Sequence, residues 1–305
     1  TAKAILNGFQ TAGFIYLSNL PITPEKVDTA FSTSAQFFAK PLQTKELYNW
    51  TTPEANRGYS GPGREKVSDI KDRDEVMKLK DAVPDLKESF EIGRDDEPGQ
   101  PNQWPGDAGE VDAQWKSFML SFWQECKELH IEVMRAIAVG MGLPETWFEG
   151  YLDIGDNTLR LLHYPAVKKE VFDRNKMQVR AGEHTDYGSV TLLFQDERGG
   201  LQVQAPDGTF VNATPIKGTC VVNAGDLLAR WSNDTIKSTL HRVVEPPAKQ
   251  EEYPARYSIA YFCNPNFDST IETIPGTYGL EMAKEKKYEK IGAGEYIIGR
   301  LASTY

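Results

Sequence analysis

Seven short apolar runs crowd into the second half of the chain, and they constrain the fold more than any other feature. They cover Leu159 to Tyr164, Val179 to His184, Ser189 to Phe194, Leu201 to Val203, Cys220 to Asn223, Thr239 to Val244 and Arg256 to Cys263. Each has the length of a strand, and Gly, Pro, Asp and Asn punctuate the gaps. Short strands at this spacing point to a sandwich or jelly roll rather than alternating βαβ units. The first half reads mostly helical. Ala2 to Gln10 suits a helix end and Phe14 to Leu17 a short strand. Thr23-Pro24-Glu25-Lys26 suits the start of a helix running to about Phe38. Thr52 to Val67 and Gly93 to Gly109 read as loops. From Asp112 to Gly140, Phe118, Phe122, Cys126, Leu129, Val133 and Ile137 repeat at helical spacing. Ala283 to Tyr305 returns to charged, helical sequence. At 305 residues the chain can bury a sizeable core. The expectation is a single α+β domain: a mainly helical region 1–155, a β core 156–280 and a helical segment 281–305.

Charge and cysteine usage narrow the partners. With 44 acidic against 34 basic residues, a net charge of −10 argues against a nucleic-acid polyanion. No apolar run is long enough to cross a bilayer, so no membrane is expected. Cys126, Cys220 and Cys263 are far apart and never form Cys-x-x-Cys, which excludes a zinc ribbon and a disulfide framework. A reducing, cytoplasmic location is the simple expectation.

Gly182-Glu183-His184-Thr185-Asp186 ends one of the strand-like runs. Residues two apart in a strand share a face, so His184 and Asp186 can aim at one point. His241 follows 55 residues after Asp186, in another strand-like run. Two imidazoles and one carboxylate on one side of a metal leave the other side open, the set used by non-haem Fe(II) oxygenases. Arg256-Tyr257-Ser258 begins 15 residues after His241, and a guanidinium beside a hydroxyl suits a carboxylate. His-x-Asp or Arg-x-Ser alone says little. The ordered combination says much more.

In that order, His184-Thr185-Asp186, His241 and Arg256-Tyr257-Ser258 resemble the motifs of Fe(II)/2-oxoglutarate-dependent dioxygenases, in the group that includes isopenicillin N synthase and plant flavonoid and gibberellin oxidases. Further stretches are similar to landmarks of that family: Arg57-Gly58-Tyr59, Asp85 to Phe90, Leu162 to Pro165, Gly199 to Val203, and Gly225-Asp226 through Ser238. The resemblance implies a double-stranded β-helix core, a distorted jelly roll flanked by helices, with iron in its open mouth. It implies that His184, Asp186 and His241 bind Fe(II), and that Arg256, Ser258 and Tyr164 hold the distal carboxylate of 2-oxoglutarate. O2 would be the oxidant, with succinate and CO2 released. Members that take no 2-oxoglutarate also keep an Arg-x-Ser, so that pair leaves the co-substrate open. The overall likeness favours 2-oxoglutarate. Where many plant relatives have Asn two residues before the tyrosine, this chain has Leu162. Relatives also begin with an extra strand bearing a Pro-x-Ile-Asp-like motif, and the sequence from Thr1 is expected to start after it.

A nearer likeness, through Arg160 to Pro165 and Tyr261 to Asn266, is to the fungal branch that hydroxylates the methyl group of free thymine. It implies a base stacked on Phe262, with Arg160, Asn264 and Tyr187 as polar contacts, and onward oxidation to 5-formyluracil and 5-carboxyuracil. The acidic chain fits a free base better than one in a polymer. A fungal secondary-metabolite hydroxylase or desaturase with the same iron chemistry is the alternative, and a non-catalytic jelly-roll binding protein the last. Read without the resemblance, Phe262 and Tyr187 are core aromatics and Arg160 a buried partner for an acid. His163 lies on the opposite strand face from Arg160, Leu162 and Tyr164 and is expected to be structural, like His130. Gly58 to Lys66 lacks the Gly-Lys-Ser/Thr ending of a phosphate loop.

Overall fold

Strand alternation decides which side chains meet the site and which meet the helices. The computed structural model describes residues 1–50, 56–63, 85–107, 110–174, 179–245, 251–280 and 284–304. Eleven strands among them make two antiparallel sheets: β1 (Phe14–Ser18), β2 (Gly58–Ser60), β3 (Glu88–Ile92), β4 (Thr158–Tyr164), β5 (Ala181–His184), β6 (Val190–Gln195), β7 (Leu201–Gln204), β8 (Phe210–Asn212), β9 (Thr219–Ala224), β10 (His241–Val243) and β11 (Arg256–Cys263). The larger sheet has the order β1-β9-β6-β11-β4-β3-β2, and the smaller has β8-β7-β10-β5. Strands far apart in sequence pair within each sheet, as the expected jelly roll requires.

The helices are α1 (Ala2–Thr11), α2 (Pro24–Phe38), α3 (Leu42–Glu46), α4 (Ala113–Gly140), α5 (Glu170–Arg174), α6 (Asp226–Trp231) and α7 (Ala293–Thr304). Thr23 caps α2 by accepting from the Lys26 N–H, and Asp112 caps α4 through the Trp115 N–H. Each cap satisfies a donor that the first turn leaves orphaned. Phe122, Cys126, Leu129, Val133 and Ile137 of α4 are buried against the outer side of the large sheet. Leu159 and Leu161 of β4, Val190 and Leu192 of β6, and Ile259 and Tyr261 of β11 face that helical layer. The opposite teeth, among them Leu162, Tyr164, Val221 and Ala260, line the barrel interior with Val243 and Leu201 of the small sheet. One sheet thus separates a helical core from a smaller core around the site.

Two expectations need correction. The first half contributes β2 and β3 to the large sheet, although it reads as helices and loops. All five residues of β3 are buried, and its acids survive there because they are paired. Glu88 meets Lys45 Nζ at 2.7 Å and His163 Nδ1 at 2.7 Å, and accepts a bond from Tyr59. Burial raises the Glu88 carboxyl, but bonds from His163, Lys45 and Tyr59 outweigh it and leave the group below its usual range. The C-terminal helix begins at Ala293, not Ala283; residues 285–290 are irregular and Ile291–Gly292 pairs with Thr270–Ile271. Ala283 and Tyr305 lie outside the described residues, as do parts of the expected 52–67 and 93–109 loops. Among the described residues, no helix is long and apolar enough to cross a membrane. Cys126, Cys220 and Cys263 are buried free thiols.

Candidate active site

β5 and β10 are neighbours in the small sheet, and their register sets His184 directly opposite His241. A register shift between His241 and Val243 lets Ala181 and His184, three residues apart, both reach the interior. Asp186 follows just beyond the strand. The Asp226 and Gly225 N–H groups donate to the carbonyls of Asp186 and Ser189, which fixes the turn. Gly188 has no alternative in this turn. A Cβ there would lie 2.3 Å from the Cys263 carbonyl and 2.4 Å from Asn264 Oδ1.

The expected triad converges. One ligand atom from each of His184, Asp186 and His241 lies within 4.8 Å of the others. His184 Nδ1 is 2.8 Å from the Gly182 carbonyl and His241 Nδ1 is 3.1 Å from the Thr239 carbonyl. Carbonyls only accept, so both Nδ1 atoms carry a proton, which selects the tautomer whose lone pair is on Nε2. These Nε2 atoms stand 3.9 and 3.7 Å from Asp186 Oδ1. The other carboxylate oxygen, Oδ2, accepts from Thr191 Oγ1 at 2.6 Å and Asn223 Nδ2 at 2.7 Å. Burial, followed by the facing His241, pushes His184 down to about 3, so it presents a neutral imidazole at ordinary pH. Burial raises the Asp186 carboxyl, yet the two imidazoles and the Asn223 and Thr191 bonds hold it below the carboxylate range. Two imidazole nitrogens and an oriented carboxylate oxygen are a donor set that fits Fe(II).

Two cavities of about 70 Å³ each meet at this triad and share Arg160, His184, Asp186 and Phe262. The deep one lies inside the barrel and contains Tyr164, Arg256 and Ser258. In β11, Arg256 pairs in register with Tyr164 and Ser258 with Leu162, so one strand face delivers the expected residues together. The Arg256 side chain donates to the Gly199 carbonyl, Ser258 Oγ and Gln195 Oε1 at 2.9, 3.1 and 3.4 Å, and its guanidinium sits 4.9 Å from the Tyr164 ring centre. All three partners are neutral oxygens. A buried cation with no carboxylate partner among the described residues suits an anionic ligand, so the cavity fits the distal end of 2-oxoglutarate. Leu162 adds apolar surface here, where many plant relatives offer an amide.

The outer cavity contains Arg160, Tyr187, Phe262 and Asn264, all four expected substrate contacts. Arg160 has both properties considered from sequence. Its Nε lies 2.8 Å from Glu91 Oε1, and its guanidinium stands 5.1 Å from the Phe262 ring centre. Asn264 Nδ2 donates to the Asp156 carbonyl at 2.7 Å, which orients the amide and leaves Oδ1 on the Gly188 side. His163 faces away, bonded to Glu88 and stacked on Tyr257 at 4.7 Å. His130 is buried, 3.0 Å from Ser189 Oγ; burial and then Lys127 push it down to about 3. Both are structural, as expected. Sequence reading missed Asn56, Thr158, Ile297 and Leu301 in the outer cavity, and Phe14 and Lys87 in the deep one. Only Lys87 carried a signal, as part of the 85–90 landmark.

Residues 155–265 match the model of the 2OG-Fe(II) oxygenase superfamily, and residues 1–107 match that of the non-haem dioxygenase in morphine synthesis N-terminal region. A proline hydroxylase of Petromyces alliaceus, buaE, is 37% identical over 96% of this chain and 90% of its own length. The chain belongs to the 2OG-Fe(II) oxygenase superfamily. It is therefore a 2-oxoglutarate-dependent, non-haem iron dioxygenase by family, with the expected jelly-roll fold. The 2-oxoglutarate-dependent dioxygenase htyE of Aspergillus rugulosus is 34% identical over 96% of this chain and 90% of that protein. Among solved structures, Neurospora crassa thymine 7-hydroxylase with α-ketoglutarate and thymine is 64% identical, covers 100% of this chain and 91% of its own, and superposes with a TM-score of 0.91. The same enzyme with 5-formyluracil gives 60% identity, coverage of 100% and 90%, and a TM-score of 0.89.

Proposed function

We propose that this chain hydroxylates the methyl group of free thymine, consuming 2-oxoglutarate and O2 at an Fe(II) centre. One observation carries the reading: a cavity combining an aromatic face with fixed polar groups opens onto His184 and Asp186 of the triad. The chain around it is 64% identical to a thymine 7-hydroxylase that binds thymine. In this reading His184 and His241 hold the iron through Nε2, and Asp186 through Oδ1. Arg256 and Ser258 bind the distal carboxylate of 2-oxoglutarate, and Tyr164 packs beneath the guanidinium. When bound, iron and 2-oxoglutarate together supply the oxidising power for C–H hydroxylation, with succinate and CO2 as co-products.

The protein's part is orientation and exclusion of water. Phe262 lies at the junction of the two cavities and offers a face for the flat base. Arg160, tethered by Glu91, donates to a ring carbonyl. Asn264, its amide nitrogen already committed to Asp156, accepts from a ring N–H through Oδ1. Tyr187 supplies a further polar contact. A fixed donor and a fixed acceptor discriminate among bases far better than shape alone. Thr191 and Asn223 keep Asp186 ionised and aimed, while Ile297 and Leu301 cover the apolar side. Because each product keeps an oxidisable group on the same carbon, the reading extends to 5-formyluracil and 5-carboxyuracil. The acidic chain supports a free base over a base in nucleic acid, and buried free thiols suit a cytoplasmic location.

Relatives at 34–37% identity support a second reading, a fungal secondary-metabolite hydroxylase or desaturase with another outer-cavity ligand. Succinate release with thymine, uracil and a metabolite panel separates the two. The expected result is 2-oxoglutarate-dependent succinate with thymine, accompanied by 5-hydroxymethyluracil, and little with uracil. Strong turnover of a different metabolite with none of thymine would overturn the proposal.

A further inference from the structure

Helix α7 is held at its two ends by different means. Its start is tied by backbone bonds: the Ala293 N–H donates to the Ser269 carbonyl and the Gly294 N–H to the Phe267 carbonyl. Further along, Ile297 and Leu301, four residues apart and so on one face, form a wall of the outer cavity. The adjacent face carries Tyr296 and Arg300, and both reach one carboxylate. Tyr296 OH donates to Asp226 Oδ2 at 3.0 Å and Arg300 Nη1 at 2.8 Å. The Arg300 guanidinium also stands 4.5 Å from the ring centre of Tyr187, another wall of the same cavity.

Asp226 joins this helix to both halves of the triad. Its Oδ2 accepts from Thr185, the residue between His184 and Asp186, at 3.2 Å. Its Oδ1 accepts from Ser238, three residues before His241, at 2.7 Å. Its backbone N–H donates to the Asp186 carbonyl at 2.8 Å. Neither Asp226 nor Arg300 lines the outer cavity, so neither is a contact for the base.

We propose that Asp226 and Arg300 are positioning residues that couple occupancy of the outer cavity to the geometry of the triad. A flat ligand seated against Tyr187, Ile297 and Leu301 presses α7 and Tyr187 into the arrangement that the Arg300–Asp226 pair favours. The same carboxylate braces the segments bearing His184, Asp186 and His241. Consumption of 2-oxoglutarate is thereby tied to the presence of the base. A plain tether would make α7 more stable without linking the two cavities. This inference rests on the proposed thymine reading for its ligand.

The test compares Arg300→Leu, Arg300→Lys and Tyr296→Phe in the full iron-loaded chain. Arg300→Leu is expected to raise the thymine KM about tenfold, the scale of one charge-assisted hydrogen bond, with the 2-oxoglutarate KM little changed. With ascorbate present to reduce the iron after unproductive cycles, succinate formed per oxidation step (5-hydroxymethyluracil counted once, 5-formyluracil twice, 5-carboxyuracil three times) should rise several-fold above one, and Arg300→Lys should restore most of both losses. Hydrogen exchange supplies a readout independent of turnover. In Arg300→Leu, α7 amides should exchange faster and lose their protection by thymine, while β11 stays unchanged. Tyr296→Phe should fall between wild type and Arg300→Leu. The coupling is overturned if α7 exchanges faster while the succinate ratio stays at one. It is equally overturned if both KM values rise together or exchange is unchanged. If wild-type protein ignores thymine altogether, the substrate reading has failed. The exchange of α7 with whichever base or metabolite is turned over then decides the coupling by itself.

Discussion

The two cavities that meet at His184 and Asp186 are built differently. The deep one is made almost entirely of strand residues: Leu162 and Tyr164 from β4, Leu201 from β7, His241 and Val243 from β10, and Arg256, Ser258 and Ala260 from β11. Cross-strand register fixes each of them, so moving one would shift a whole strand. The outer cavity draws on strand residues too, but also on Asn56 ahead of β2, Asn264 just after β11, and Ile297 and Leu301 of α7. Those pieces can change without disturbing the barrel. The difference teaches a division of labour. The end that the sheets enforce suits a reaction common to the family, and the end that loops and a terminal helix complete suits the ligand that varies.

Substitutions that should strike one cavity and spare the other put this division at risk. The largest effect is expected at the junction. Asp186→Ala removes an iron ligand serving both cavities, and turnover should fall by about three orders of magnitude or more with loss of bound iron. Iron content and succinate release check it, and near-normal values for both would end the triad assignment. Next, Arg256→Met should raise the 2-oxoglutarate KM about a hundredfold while the thymine KM stays close to wild type, because only the deep cavity loses its cation. Equal losses would erase the distinction. Phe262→Ala should raise the thymine KM about thirtyfold by removing an aromatic face, with a smaller effect on 2-oxoglutarate. Since Phe262 lines both cavities, this variant measures how separate they are. The smallest effect is expected for Thr191→Val, which deletes a hydrogen bond to Asp186 but no ligand. Iron affinity should weaken about tenfold, as read by competition with a chelator, while saturating iron restores activity.

The same division explains what was legible in the sequence. His184, His241, Arg256 and Ser258 could be read from spacing because they sit on strands or face a partner across a ladder, and Asp186 because it follows just beyond the strand that bears His184. The two sides of β4 followed from alternation, which sets His163 opposite Arg160, Leu162 and Tyr164, whereas the role of Tyr164 was legible only through resemblance. By contrast, β3 hid behind Glu88 and Glu91, whose charges suggest an exposed segment; they are buried because Lys45, His163 and Arg160 answer them. Asn56 shares no spacing with the Ile297–Leu301 pair, and only tertiary folding brings that pair and Asn56 to one cavity. The late start of α7 was missed because the charged stretch before it resembles an exposed helix face, whereas Ile291–Gly292 pairs as a strand. Phe262 and Asn264 were legible only through resemblance, as residue type alone suggests ordinary core packing.

Simultaneous occupancy of the two cavities is the central claim, and one measurement bears on it most directly. Thymine is titrated calorimetrically, without oxygen, into iron-loaded protein, first alone and then saturated with 2-oxoglutarate. The expected result is one thymine bound per chain in both cases, with affinity undiminished by the co-substrate. A thymine Kd that climbs in proportion to 2-oxoglutarate concentration would mean that both molecules compete for a single cavity, and would contradict the account.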